Sequence, residues 1–66
     1  MGGVGMIRGT YDVGWNDGGI RKNLLINAEG FTKEDIQKAV WEKIKSKGIN
    51  LDYVISIWEV WRYEGA

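Results

Sequence analysis

Apolar and polar residues alternate from Met6 to Trp15 and again from Ile20 to Ala28, on either side of Asn16-Asp17-Gly18-Gly19. A period of two marks a half-buried strand. Asp-Gly between two such runs predicts a hairpin, because both central residues of a type I′ turn need positive φ. Pairing Asn16 with Gly19 sets Trp15 opposite Ile20, Val13 opposite Lys22, Tyr11 opposite Leu24, Gly9 opposite Ile26 and Ile7 opposite Ala28. These residues share one face, on which Lys22 is the misfit and Gly9 makes room for a tryptophan or for a helix. The other face carries Gly14 with Arg21, Asp12 with Asn23, Thr10 with Leu25 and Arg8 with Asn27. A slip of one residue would mix the two sets.

The period then changes. Ile36, Ala39, Val40 and Ile44 fall on one stripe of a helix predicted over Thr32 to Lys47, with Trp41 on its flank. Thr32 is the expected N-cap with Asp35 at N3, and Phe31 and Ile36 occupy the positions of a hydrophobic staple. Glu34 and Asp35 stand in the first turn and Lys43, Lys45 and Lys47 near the end, as the helix dipole prefers. Gly48 suits the left-handed position after the helix, with Ile49 closing over Ile44.

Leu51 to Tyr63 is β-branched and aromatic and predicts a third strand. Its odd positions, Leu51, Tyr53, Ile55, Ile57, Glu59, Trp61 and Tyr63, are the more apolar and are assigned to the helix side. Glu59 is out of place there, and a bulge beside it would change which way Trp61 points. The order β-β-α-β, with a right-handed crossover, predicts an α+β domain: a three-stranded antiparallel sheet in the order 2-1-3, one helix packed on one face and the other face open. The Gly-rich stretch 1–5 is expected to be a flexible tail.

Sixty-six residues make one small domain, which buries only about 60% of the surface its unfolded chain exposes. Nine Lys and Arg balance nine Asp and Glu, which excludes the basic footprint of a general nucleic-acid binder and the acidic surplus of a nucleic-acid mimic. Cysteine and histidine are both absent, so neither a disulfide framework nor a thiolate or imidazole metal site is available. The chain lacks a long apolar run, and its start has neither a signal peptide's basic and apolar regions nor Ser or Thr at position six for myristoylation, so a cytoplasmic protein is expected.

Chemistry is hard to find. Ser46, Ser56, Thr10 and Thr32 have no histidine to activate them, Asp12 and Glu59 fall on opposite faces, and Glu34 and Asp35 serve the helix start. A chain this short also has difficulty enclosing a pocket of several hundred Å³. Asp12 to Gly18 lacks EF-hand spacing, and Arg8 stands where a G-x-G-x-x-G counted from Gly3 needs its last glycine. No cofactor, metal site or enzymatic activity is expected. The five lysines against three acids between Thr32 and Gly48 fit a solvated helix face better than a phosphate site.

Four tryptophans are the most informative feature. Trp15 ends the hairpin, Trp41 flanks the helix stripe and Trp61 is assigned to the core. Trp58 falls on the open face with Val54, Val60 and Leu25, and with Arg8, Arg21 and Arg62 as neighbours. Trp and Arg are the types most enriched in interface hot spots, and such a patch is seldom left bare. Strand three is also an edge without proline, which invites pairing with another chain. The expectation is a non-enzymatic protein-interaction module of regulator or inhibitor type, homodimeric through the open face or the last strand's edge. A phage or mobile-element origin suits so compact a chain. The alternative is single-stranded nucleic-acid binding across the open face, with Trp58 stacking a base and Arg8, Arg21 and Arg62 on phosphate.

Overall fold

The computed structural model describes residues 5–65, so most of the stretch 1–5 assigned to a tail lies outside the described residues. The chain runs β1 (Ile7–Asp17), β2 (Ile20–Gly30), α1 (Lys33–Ser46), a 3-10 turn (Leu51–Tyr53) and β3 (Val54–Glu64). The sheet is antiparallel throughout in the order β2-β1-β3, as the alternation and crossover predict.

The hairpin turns one residue further along than Asp-Gly suggested, which shifts the pairing by two. Asp17 pairs with Ile20, and the turn is Gly18-Gly19 with φ of 61° and 88°. Two adjacent glycines take the left-handed conformations without the Cβ penalty that Asp17 would carry, and the Asn16 side chain accepts from the Gly19 N–H at 2.9 Å. The pairs become Trp15–Lys22, Val13–Leu24, Tyr11–Ile26, Gly9–Ala28 and Ile7–Gly30. A slip of two preserves which residues share a face, so the two sets survive. Lys22 lies near the hairpin end and bridges Asp17 at 2.8 Å.

Helix α1 has the expected ends. Thr32 accepts from the Asp35 N–H at 3.1 Å, and after the Lys47 cap Gly48 takes φ 80° while its N–H donates to the Lys45 carbonyl. Phe31 stays more than half exposed although Ile36 is buried, so the expected staple does not cover it.

The core consists of Tyr11, Val13, Ile26, Ala28, Ile36, Val40 and Ile44, drawn from β1, β2 and α1 alone. Only Phe31 and Thr32 separate β2 from α1, so the helix begins beside the end of β2. It lies along β2 and the near side of β1 and scarcely reaches β3. Gly30 permits this approach: a Cβ there would sit 2.7 Å from the Asp35 Cβ and 3.2 Å from backbone atoms of Asp35 and Ile36. The helix was expected to cover the odd side of strand three; it leaves both faces of that strand largely bare. Leu51 and Tyr53 are not strand residues, because the Asn50 side chain accepts from the Asp52 N–H and coils the chain into the 3-10 turn.

An exposed aromatic strand as the candidate interaction surface

Two register shifts decide which way β3 points. Val54 pairs with Trp15 but Ser56 with Gly14, leaving Ile55 as an extra residue; Glu59 pairs with Tyr11 but Trp61 with Thr10, leaving Val60 as another. Each extra residue reverses the alternation beyond it. Trp58, Trp61 and Tyr63 therefore lie opposite Asp12, Thr10 and Arg8 on the face away from the helix, while Val54, Ile57, Glu59, Arg62 and Glu64 lie on the helix side.

This arrangement corrects several expectations. Trp61 and Tyr63 are not core but join Trp58, and the three are 52%, 55% and 71% exposed. The Trp61 and Tyr63 rings are nearly parallel, 7° apart, with centroids 6.3 Å apart. Val54 leaves the open face and packs against the core, because the bulge at Ile55 turns it inward. Arg62 also leaves it, because the bulge at Val60 sets it opposite Gly9 on the helix side. Of the residues assigned to the open face, Trp58, Leu25, Arg8 and Arg21 hold their places there, and Val60 is the exposed bulge residue.

The open face is polar over β1 and β2 and aromatic along β3. Thr10 donates to the Asn27 side chain at 2.8 Å, Asn23 to Asp12 at 3.0 Å, and Arg8 faces Glu29 at 3.5 Å. Leu25 is the apolar exception in β2, in line with Trp58 on the other side of Asp12. Gly14 admits the Ser56 hydroxyl and Asn23 amide, which a Cβ would meet at 2.9 and 3.2 Å, and the Arg21 guanidinium lies 3.5 Å from the same point.

On the helix side, β3 carries a charged chain. The Tyr11 ring lies across Gly9, whose missing Cβ it would contact at 2.8 Å. Gly9 thus makes room for this tyrosine rather than for a tryptophan or the helix. The Tyr11 hydroxyl donates to Glu59 at 3.3 Å, and Arg62 bridges Glu59 at 3.1 Å and Glu64 at 2.7 Å. Burial first, then the Glu59 carboxylate, pushes the Tyr11 hydroxyl above its ordinary range, with Arg62 acting in the opposite sense. Hydrogen bonding to Glu64 first, then the charge of Glu59, holds the Arg62 guanidinium more firmly protonated than usual.

Between this chain and α1 lies an open cleft of about 440 Å³, lined by Tyr11, Lys33, Ile36, Gln37, Val40, Trp41, Ile57, Glu59 and Arg62. It is open rather than enclosed, and it exists because the helix stops short of β3. Of its polar groups Tyr11, Glu59 and Arg62 are paired with one another, and its lining includes no Ser, Thr or Cys. Among the described residues no cluster of three or more acids, histidines or cysteines could hold a metal ion, and no helix is long and apolar enough to cross a membrane.

Trp61 and Tyr63 are the residues of this surface that alternation alone missed. The signal that could have found them is Glu59: a carboxylate in an otherwise apolar set marks where the period breaks. Comparison with family models, curated proteins and solved structures finds no match to this chain.

Proposed function

We propose that the chain is a non-enzymatic interaction module that works through β3, associating with a second copy of itself and acting on another protein by occupancy, as a regulator or inhibitor does. One observation carries this reading: β3 is an edge strand with neither face covered, and it displays Trp58, Trp61 and Tyr63 in a row. Aromatic residues at such density contribute most of the binding energy where interfaces form, and monomers seldom leave them in water. Sedimentation velocity on the wild type and on Trp58→Ala/Trp61→Ala tests the self-association. Concentration-dependent association that the double variant loses supports it, and a wild type that stays monomeric at high micromolar concentration removes it.

A second reading gains one specific observation. Three aromatics share the open face, the number with which a sheet can stack successive bases. The charges do not follow: Arg62 is on the other side, Arg8 faces Glu29, and net charge is zero. Titration of tryptophan fluorescence with single-stranded oligonucleotides at two salt concentrations separates the readings. Quenching that weakens steeply with salt favours nucleic acid, and an unchanged spectrum at low salt ends that alternative.

A further inference from the structure

The two edges of this sheet are not alike. At the β2 edge the Lys43 ammonium reaches from α1 to the Asn27 carbonyl and closes part of the outer ladder. The β3 edge has no such guard; it contains neither the lysine nor the proline with which exposed edges are usually blunted. We infer that a second copy of this chain completes β3, pairing antiparallel so that Glu59 of each copy stands opposite Arg62 of the other. The inference rests on that reading of β3 as the surface for self-association and names the register in which the copies pair.

The bulge at Val60 limits the register, and the charge pair selects it. Ile57 and Glu59 before it and Arg62 and Glu64 after it face the helix side; Trp58 before it and Trp61 and Tyr63 after it face away. A two-fold axis between Val60 and Trp61 sets Ile57, Trp58, Glu59 and Val60 opposite Glu64, Tyr63, Arg62 and Trp61 of the partner subunit. The pairs Ile57–Glu64, Trp58–Tyr63 and Glu59–Arg62 then each join residues of one face and the bulge residue Val60 meets Trp61, so that an aromatic pair, an aromatic–β-branched pair and an opposite-charge pair are each made twice. These are the cross-strand combinations that stabilise sheets. Axes through Trp58 or between Glu59 and Val60 also keep the faces whole, but the first sets Glu59 against Ile57 and Arg62 against Val54, the second sets Arg62 against Ile57, and neither gains a charge pair.

The area suffices. Ile57, Val60 and the three aromatics are each a third or more exposed. With large aromatics hiding about 150–250 Å² each when covered, the strand offers roughly 500–600 Å² of apolar surface per copy before the backbone is counted. That approaches the roughly 800 Å² per partner of a stable dimer. The product is a six-stranded sheet with both helices on one side and a trough between them, into which the two clefts open.

Charge exchange tests the register. Glu59→Arg places two arginines, and Arg62→Glu two glutamates, at the facing positions of a self-pair; mixed together, the variants restore opposite charge at both. Sedimentation should show a wild-type dimer, each variant alone associating at least tenfold more weakly, and the mixture recovering wild-type association. Far-UV circular dichroism on each variant checks that it folds. Because the chain has no cysteine, Ile57→Cys and Glu64→Cys give a second, independent measurement: a disulfide should form when the two variants are mixed and not in either alone, since position 57 lies about 20 Å or more from its own copy. A wild type that dimerises without charge rescue or the mixed disulfide overturns this register while leaving the self-association standing. A monomeric wild type overturns the second copy as occupant, and salt-sensitive oligonucleotide binding by that monomer transfers the surface to nucleic acid.

Discussion

Alanine at Gly30 sets two opposing effects against each other, and the structure decides the sign. Gly30 is not among the positive-φ glycines, so alanine is compatible with its backbone and should gain about 0.4–1 kcal/mol by narrowing the unfolded ensemble. Its Cβ, however, would stand 2.7 Å from the Asp35 Cβ and 3.2 Å from the Asp35 and Ile36 backbone. Backbone in the first turn of a capped helix cannot swing aside, so α1 must move off the sheet. Overpacking of this kind costs about 1–3 kcal/mol. The net expectation for Gly30→Ala is a loss of about 1–2 kcal/mol. At about 4–8 °C per kcal/mol for a domain of this size, the melting temperature should fall roughly 5–15 °C. Urea unfolding with an unchanged slope and a lower midpoint would show that the native contact, not the unfolded chain's compactness, has changed. A midpoint equal to or above the wild type would refute the close seating of α1 on β2, and with it the reason β3 is left uncovered.

Other consequences can be measured on the same material. At micromolar concentration Ile44→Ala should cost about 2–5 kcal/mol because the side chain is fully buried, whereas Trp58→Ala, 71% exposed in the folded subunit, should cost less than about 1 kcal/mol. A Trp58→Ala loss as large as that of Ile44→Ala in chemical denaturation would place the indole in the core. The raised Tyr11 hydroxyl gives a stability contribution that is complete below the unfolded tyrosine value near 10 and is lost as pH rises through the folded value. The wild-type urea midpoint should therefore fall more steeply above about pH 10 than that of Tyr11→Phe, and parallel curves would exclude the shift.

Much of the fold was legible because each element carries its own marks. Thr32, Asp35 and Gly48 fix the ends of the helix through local hydrogen bonds, and the alternation around Gly18 fixes the hairpin faces. The hairpin register was less legible, since Asp-Gly and Gly-Gly compete for the turn and a slip of two leaves the faces alike. Strand three was harder still. Its two extra residues, Ile55 and Val60, are ordinary strand formers, and bulges there depend on pairing with β1 rather than on anything local. Trp58 kept its place because it lies between the bulges, while Val54 and Arg62 lie beyond them and changed sides. The position of the helix over β2 and β1 depends on Gly30, whose close approach to Asp35 becomes visible only when both elements are in place.

If the chain meets its own copy along the outer edge of β3, amide hydrogen exchange from low to high micromolar concentration will register it, with β2, whose edge Lys43 already reaches, as the internal reference. The amides between Ile57 and Glu64 should become more protected as concentration rises while those of β2 stay unchanged; equal exchange in β3 at every concentration would contradict the claim.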